Sequence, residues 1–362
     1  MSFEMPTYTA PDFSLPALKD APNVHWVSAP AHGVAPDNYH ATTIFPEYFK
    51  ANGSWLLAKE SRMDCVAVLS RGVIEVKEFR RLKKGDLVAV GRSEDGSDGI
   101  FVHTAAFVQQ DGREEAFSFR QGRSRETAYA MDYDSIYDLL RYEKEHGFVT
   151  WVLGPACCFD WDARHAFAKL VEGGYVNAVL AGNALATHDL EAGYRSTALG
   201  QDIYTQISQP GGHYNHIDTI NQVRKVGSIA KFVEQENIED GIMAACVKRD
   251  VPFVLTGSIR DDGPLPEVYA DVYEGQNAMR EQVKRSTTVI CLATTLHSIA
   301  TGNMTPSYRV LEDGTVRPVY FYSVDVSEFA VNKLRDRGSL AVKTIVTNVQ
   351  DFIVNVQRGL DL

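Results

Sequence analysis

The sequence predicts an α/β protein with a Rossmann-like, mainly parallel sheet and a smaller β domain ahead of it. After about residue 125, apolar strand-like runs alternate with helical patterns, the arrangement that builds a parallel sheet with helices on both faces. Between Tyr39 and Val108, short β-like runs recur with turn residues between them. Several of the later strands stop at glycine followed by polar side chains, and in open α/β sheets that carboxyl edge is where ligands bind.

The elements follow in chain order. The first 40 or so residues carry Pro6, Pro11, Pro16, Pro22, Pro30 and Pro36, which suits an extended arm over residues 1–23 that packs poorly. The runs SWLLAKE, DCVAVLS, VIEVKEF, DLVAVG and IFVHTAAFV, broken by Asn52-Gly53, Lys84-Gly85-Asp86 and Asp95–Gly99, define a small β domain over residues 24–125. In the remaining domain, residues 126–362, Asp134–His146 places Ile136, Tyr137, Leu139 and Leu140 on a helical face that Gly147 can end. The strand FVTWVLGP follows, and then strands at Asn177–Ala181, Phe253–Thr256, Thr288–Ala293 and Val319–Val324. Helices are expected around Leu190, over Ile217–Glu236 and Asp240–Arg249, near Val268–Val283 and over Phe329–Arg335.

A chain of 362 residues, 44% of them hydrophobic, can bury a large core and make two domains. A net charge of −11 leaves no basic face for phosphates, so nucleic acid and anionic membrane are excluded as expected partners and a small polar metabolite is favoured. No stretch of about 18 apolar residues is present and the start lacks signal-peptide character, so the expected location is cytoplasmic. The five cysteines, Cys65, Cys157, Cys158, Cys246 and Cys291, contain no C-x-x-C pair and are expected as reduced thiols.

The stretch VPFVLTGSIRDDGPLP (251–266) is the most informative. A buried strand ends at Thr256-Gly257-Ser258, just ahead of Arg260, Asp261 and Asp262. Other strands end alike: one at Gly154-Pro155, one at Gly182-Asn183 with His188, Asp189 and Glu191 beyond, one at Thr294-Thr295 with His297 and Asn303 beyond, and one at Asp325. Glycine admits a ligand close to the backbone, a helix starting there points free amides at phosphate, and Asp325 could accept from a ribose. No G-x-G-x-x-G fingerprint is present, and each glycine taken singly is also an ordinary strand-to-helix turn. His188 beside Asp189 suits acid/base work, since histidine titrates near neutrality. His213-x-x-His216 lacks matching acid or cysteine ligands at zinc spacing, and no metal is expected.

Eight segments carry a family resemblance: HGVAPDNYHATT (32–43), RMDCVAVL (62–69), KKGDLVAVG (83–91), AGNALATHDLE (181–191), GGHYNHIDTIN (211–221), the 251–266 stretch, LHSIATGNM (296–304) and KLRDRGS (333–339). With these, the chain resembles the LOR/SDH-type NAD-dependent ornithine cyclodeaminases, an archaeal group also found as the C-terminal part of cyanobacterial bifunctional arginine-degrading enzymes. The resemblance implies a deoxyhypusine-synthase-like NAD-binding fold, which lacks the usual glycine fingerprint. It also implies that the β domain reaches the active site through Asp64 and Cys65. The chain departs from the family pattern in two places: Cys157-Cys158-Phe159-Asp160-Trp161-Asp162 replaces a small-residue turn containing His, Thr and Gly, and Ser196-Thr197-Ala198-Leu199-Gly200 replaces a GTSLG-like segment.

The implied reaction uses NAD as a recycled hydride carrier, converting ornithine or a related basic amino acid to proline or a cyclic imino acid plus ammonia. Such a substrate needs about one cation and one or two carboxylates around it. Arg260 is the candidate for its carboxylate; Asp261, Asp262 and Asp64 are candidates for its amines, with Cys65 alongside. The expected cofactor residues are Gly154, Pro155, Gly182, Asn183, His188, Asp189, Gly257, Ser258, Thr294, His297, Asn303 and Asp325. A net NAD-dependent dehydrogenase or lyase acting on another amino acid and a non-catalytic NAD-binding sensor are the alternatives. By analogy a homo-oligomer is expected.

Overall fold

The computed structural model describes residues 3–108, 130–259, 261, 263–327 and 340–362. Seven strands, β1 (Val149–Leu153), β2 (Ala178–Gly182), β3 (Phe253–Thr256), β4 (Val268–Tyr269), β5 (Thr288–Leu292), β6 (Tyr320–Asp325) and β7 (Ala341–Val346), form one parallel sheet. Their order is β4-β3-β2-β1-β5-β6-β7. β1 and β5 are buried at every position, which is why they read as unbroken apolar runs and not as alternation.

Helices cover both faces. They are α1 (Ala130–His146), α2 (Trp161–Glu172), α3 (Asn183–Arg195), α4 (Asn215–Val226), α5 (Ile229–Gln235), α6 (Ile242–Lys248), α7 (Val272–Val283), α8 (Thr295–Met304) and α9 (Val349–Gly359). Successive strand residues point to opposite faces. Trp151 and Leu153 accordingly join a core with Leu139, Phe167, Leu190, Met243 and Phe352 from α1, α2, α3, α6 and α9. Val152 joins Met279, Val283 and Met304 from α7 and α8 on the other face.

The β domain has two small antiparallel sheets. Strands His25–Ser28, Cys65–Ser70, Val73–Glu78 and Leu87–Val90 make one, and Glu47–Ala51, Ser54–Leu57 and Ile100–Val102 the other. Phe49, Cys65, Ala67, Ile74, Ala89 and Ile100 pack between them. The short strand Glu60–Ser61 pairs with Tyr308–Val310, which pairs with Val316–Pro318, so the β domain is stitched to the segment after α8. It docks on α7 through Glu78, which binds both Arg62 and Arg280, and through Arg80, which donates to Gln276 and Asn277.

The fold departs from the sequence reading at several points: that reading placed neither helices α2 and α9 nor strand β7, and three of its expectations differ from what is observed. The helix expected over Ile217–Glu236 is two: Gly227, at φ 91°, ends α4, and Ser228 caps α5 by accepting from the Lys231 amide. The helical stretch near Val268–Val283 opens with the edge strand β4, and the Asp271 carboxylate starts α7 only afterwards. The described part of the N-terminal arm is anchored, and it is extended only up to a short helix over Pro16–Lys19. Phe3, Tyr8, Phe13 and Leu18 recur every fifth residue, which prolines do not prevent. Phe3 meets Tyr142 and Tyr320, Thr7–Tyr8 pairs with Phe107–Val108, Phe13 stacks on Trp55, and Leu18 is buried. The helix expected over Phe329–Arg335 lies outside the described residues.

Candidate functional site

Because the seven strands are parallel, their carboxyl ends share one edge, and the direction of strand addition reverses between β1 and β5. That switch point is closed tightly. The Gly154 amide donates to Leu292 O at 2.8 Å, and a Cβ at Gly154 would lie 1.9 Å from Ala293 O. Ala293 itself takes φ 49°, a conformation that side chains rarely adopt. Pro155 then opens a 3-10 turn through Cys158.

One step along the edge, β2, β3 and α8 meet. A Cβ at Gly182 would lie 2.9 Å from His297 Cε1, so glycine lets this ring sit on the strand end. His297 Nε2 is 2.9 Å from the Thr256 hydroxyl. Burial lowers the His297 pKa below its ordinary value, opposed by the nearby charge of Asp261, so the ring is neutral at pH 7. Asp261 accepts from the Ser258 amide at 2.8 Å, and the Gly257 amide donates to Tyr269 O at 2.9 Å. Asn183 accepts from the Leu265 amide at 3.0 Å. On the other side of the switch, Asp325 accepts from the Ser327 amide at 2.8 Å, and its charge reaches Cys157 in the turn after β1.

Among the described residues, five helix starts carry a side-chain acceptor, whereas those of α3, α4 and α8 carry none. Asp160, Ser228, Asp271 and Asn348 cap α2, α5, α7 and α9 with their side chains, and the Asp189 carboxylate caps α6. α3 and α8, which start at the tips of β2 and β5, have no side-chain cap. Their first amides are therefore available to an anion, with the helix dipoles favouring it. Uncapped helix starts at two strand tips fit a dinucleotide.

The residues singled out from sequence do not all lie here. Asp189 accepts from Arg164 Nε at 2.9 Å and from the amides of Ile242 and Met243 at 3.0 and 2.7 Å, locking α2, α3 and α6 together. Asn303 is exposed on the last turn of α8, about 12 Å along the axis from Thr295 at about 1.5 Å per residue. Asp64, at φ 45°, and Cys65 belong to the β domain beside Arg62 and Glu78. Burial pushes the Cys65 thiol up to about 11, with Arg62 opposing it. Arg260 and Asp262 lie outside the described residues. All five cysteines are buried and unpaired. Burial raises Cys157, Cys246 and Cys291 to about 12, so none is a thiolate at neutral pH.

His188 has a different partner from the one its neighbour in sequence suggested. Its Nδ1 lies 2.9 Å from Glu191 Oε2, three residues on and on the same helical face, whereas Asp189 points away around the helix. Glu191 is fully buried and accepts from the Thr197 hydroxyl at 2.8 Å and the Leu199 and Gly200 amides at 3.2 and 3.1 Å. Burial works to raise its pKa, but these bonds, led by the one to His188, outweigh it and hold the carboxyl below the usual range. The His188 ring lies 5.4 Å from Phe159 and 5.8 Å from His216. Thr256, Phe159, Glu191 and His216 were named in the sequence reading but not among its candidate site residues; the i, i+3 spacing of His188 and Glu191 was the available signal.

Residues 135–356 match the family described as arginine dihydrolase ArgZ-like, C-terminal, Rossmann fold. The ornithine cyclodeaminase of Methanothermobacter thermautotrophicus is 39% identical over 329 residues, covering 90% of this chain and 76% of that protein. The crystal structure of a LOR/SDH protein from Methanococcus maripaludis superposes with a TM-score of 0.80 at 35% identity, over 95% of this chain and 98% of that one. AgrE, the bifunctional arginine dihydrolase/ornithine cyclodeaminase of a Nostoc species, was crystallised in a ternary complex with ornithine and NAD+. That structure matches at a TM-score of 0.58 and 32% identity, over 96% of this chain and 47% of that one. With a parallel Rossmann sheet and likeness of this extent and depth, the chain belongs to the ornithine cyclodeaminase family of enzymes.

Proposed function

We propose that this protein converts ornithine to proline and ammonia with NAD as a recycled cofactor. The observation that carries the reading is the strand edge itself: five neighbouring tips, β3 to β6 in sheet order, joined by two uncapped helix starts and a neutral histidine. When bound, NAD supplies a hydride acceptor for the substrate Cα and gives the hydride back after ring closure.

The chain's own groups bind and orient. The amides opening α3 and α8 would hold the diphosphate, and Asp325 would accept from a ribose. Asn183, Ser258 and Thr294 complete the polar edge. His297, fixed by Thr256, donates or accepts as a neutral ring. Arg260 is assigned to the substrate carboxylate by its charge, and Asp261 and Asp262 to the amines. Asp64 is carried as a candidate from the β domain. We place the enzyme in the cytoplasm as a homo-oligomer. Leu199, Tyr204, Ile207, Tyr214 and Ile217, each more than half exposed, supply an apolar surface for a second copy.

The test is to incubate purified protein with ornithine and trace NAD and quantify proline and ammonia. Equal amounts of both with no lasting NADH absorbance are expected. No product from ornithine, lysine or related diamino acids would overturn the reading. Lasting NADH absorbance would instead favour net dehydrogenation, the reading supported by Phe159 standing beside His188.

A further inference from the structure

His188 and Glu191 form a buried dyad that binding of a cofactor does not explain. A carboxylate at Nδ1 requires the proton on that nitrogen, which leaves Nε2 as the acceptor. Among the described residues the hydrogen bond of this ring is the one at Nδ1, and His188 keeps 9% of its surface exposed. Glu191 is anchored by Thr197, Leu199 and Gly200, so it orients the ring and is not itself a free base.

The surroundings are built to hold this pair. A Cβ at Gly212 would lie 2.2 Å from Gly200 O, so the two backbones touch, and this contact positions the Gly200 amide on Glu191. Across from His188 stands His216, whose Nδ1 is buried without a partner. Buried polar atoms are rarely left unpaired in a purely structural role. Phe159, in the turn after β1, forms the third wall and sets the dyad beside the switch point.

We propose that His188 is the proton-transfer residue for the substrate's α-amino group, with Glu191 as its positioning residue and His216 as a second polar contact; this rests on the cyclodeaminase reading. His188 Nε2 takes one proton from the α-ammonium, freeing the lone pair that lets the Cα hydride depart to NAD+ and a C=N bond form. Water takes a proton from the δ-ammonium, whose nitrogen then bonds to Cα, and a second from that nitrogen after attack. The His188 imidazolium returns its proton to the α-nitrogen, the C–N bond breaks, and ammonia leaves. The hydride returns to Cα, and water gives one proton to proline and one to ammonia. The charged or titratable groups on the His188 helix and on the elements packed against that helix include Glu191 and Asp189, Arg164 on α2, His216 on α4 and Cys158 in the turn after β1.

The experiment compares wild type, His188→Gln and Glu191→Gln by kcat against pH, NAD affinity by calorimetry, and rescue by imidazole. His188→Gln is expected to lower kcat by about 100-fold or more while NAD affinity stays within about threefold, with partial rescue by imidazole. Glu191→Gln is expected to displace the pH limb that His188→Gln abolishes. An unchanged kcat and pH profile in His188→Gln, or loss of NAD affinity in step with kcat, overturns the proposal. If His188→Gln does not fold, or wild type makes no proline, nitrogen-15 spectra of wild-type histidines decide. A neutral Nδ1–H tautomer at His188, with proton uptake at Nε2 on acidification, is expected, and an Nε2–H tautomer overturns the dyad. Absence of proline in wild type by itself refutes only the cyclodeaminase reading.

Discussion

At Gly154 the space for a side chain is already filled by a carbonyl, Ala293 O, on the neighbouring strand's exit. Gly154→Ala must therefore part the tips of β1 and β5, at a cost of about 1–3 kcal/mol in stability. A drop of about tenfold or more in NAD affinity, read by calorimetry, is expected with it. His297 gives a pH signature. Its folded pKa is depressed by burial, so its contribution to stability is complete above the ordinary histidine value of about 6.5 and is lost as pH falls through the folded value. Urea midpoints measured against pH should fall on acidification below about 6.5 in the wild type, and His297→Gln should flatten that part of the curve. Gly154, Gly182 and His297 were legible in the sequence because glycine and histidine at strand ends are themselves the signal. Asp189 and Glu191 were not separable, since both are acids near one histidine and only the helical rotation decides which carboxylate faces it.

Among the elements, the central strands were the most legible. Phe253–Thr256 and Thr288–Leu292 are continuous apolar runs because both their faces are covered. The two-residue strand β4 was not legible, as its pairing to β3 comes from sheet geometry and not from local pattern. Among the helix starts without a side-chain cap, α3 and α8 lie at strand tips, whereas α4 continues a 3-10 turn. Asp271→Ala removes an acceptor for the Tyr273 and Glu274 amides and should cost about 1 kcal/mol by urea unfolding. NAD affinity should stay unchanged, because α7 does not start at the tips of β2 or β5. Equal loss of affinity would show that the capped and uncapped starts do not differ in role.

On the scale of the whole molecule, the docking of the β domain was beyond reach of the sequence. Arg62, Glu78 and Arg280 look like ordinary surface charges in one dimension, yet both arginines are almost fully buried where α7 meets the β domain. Arg280→Met leaves Glu78 still paired with Arg62, so it should lower stability by about 1–3 kcal/mol, measured by urea unfolding. Replacing Arg62, Glu78 and Arg280 together with apolar residues should recover most of that loss. The anchored arm escaped for a related reason: prolines announce irregular backbone but not where Phe3 or Phe13 will find a ring.

The touching backbones of Gly200 and Gly212 also tell how this enzyme could diversify. They close the chain between them into a hoop whose knot is independent of its circumference, with Tyr204 and Ile207 displayed on the rim. Exchanging or lengthening residues 201–211 should change the apolar surface offered to a second copy, read as a shift in oligomeric state by light scattering, while the dyad behind the knot keeps its place.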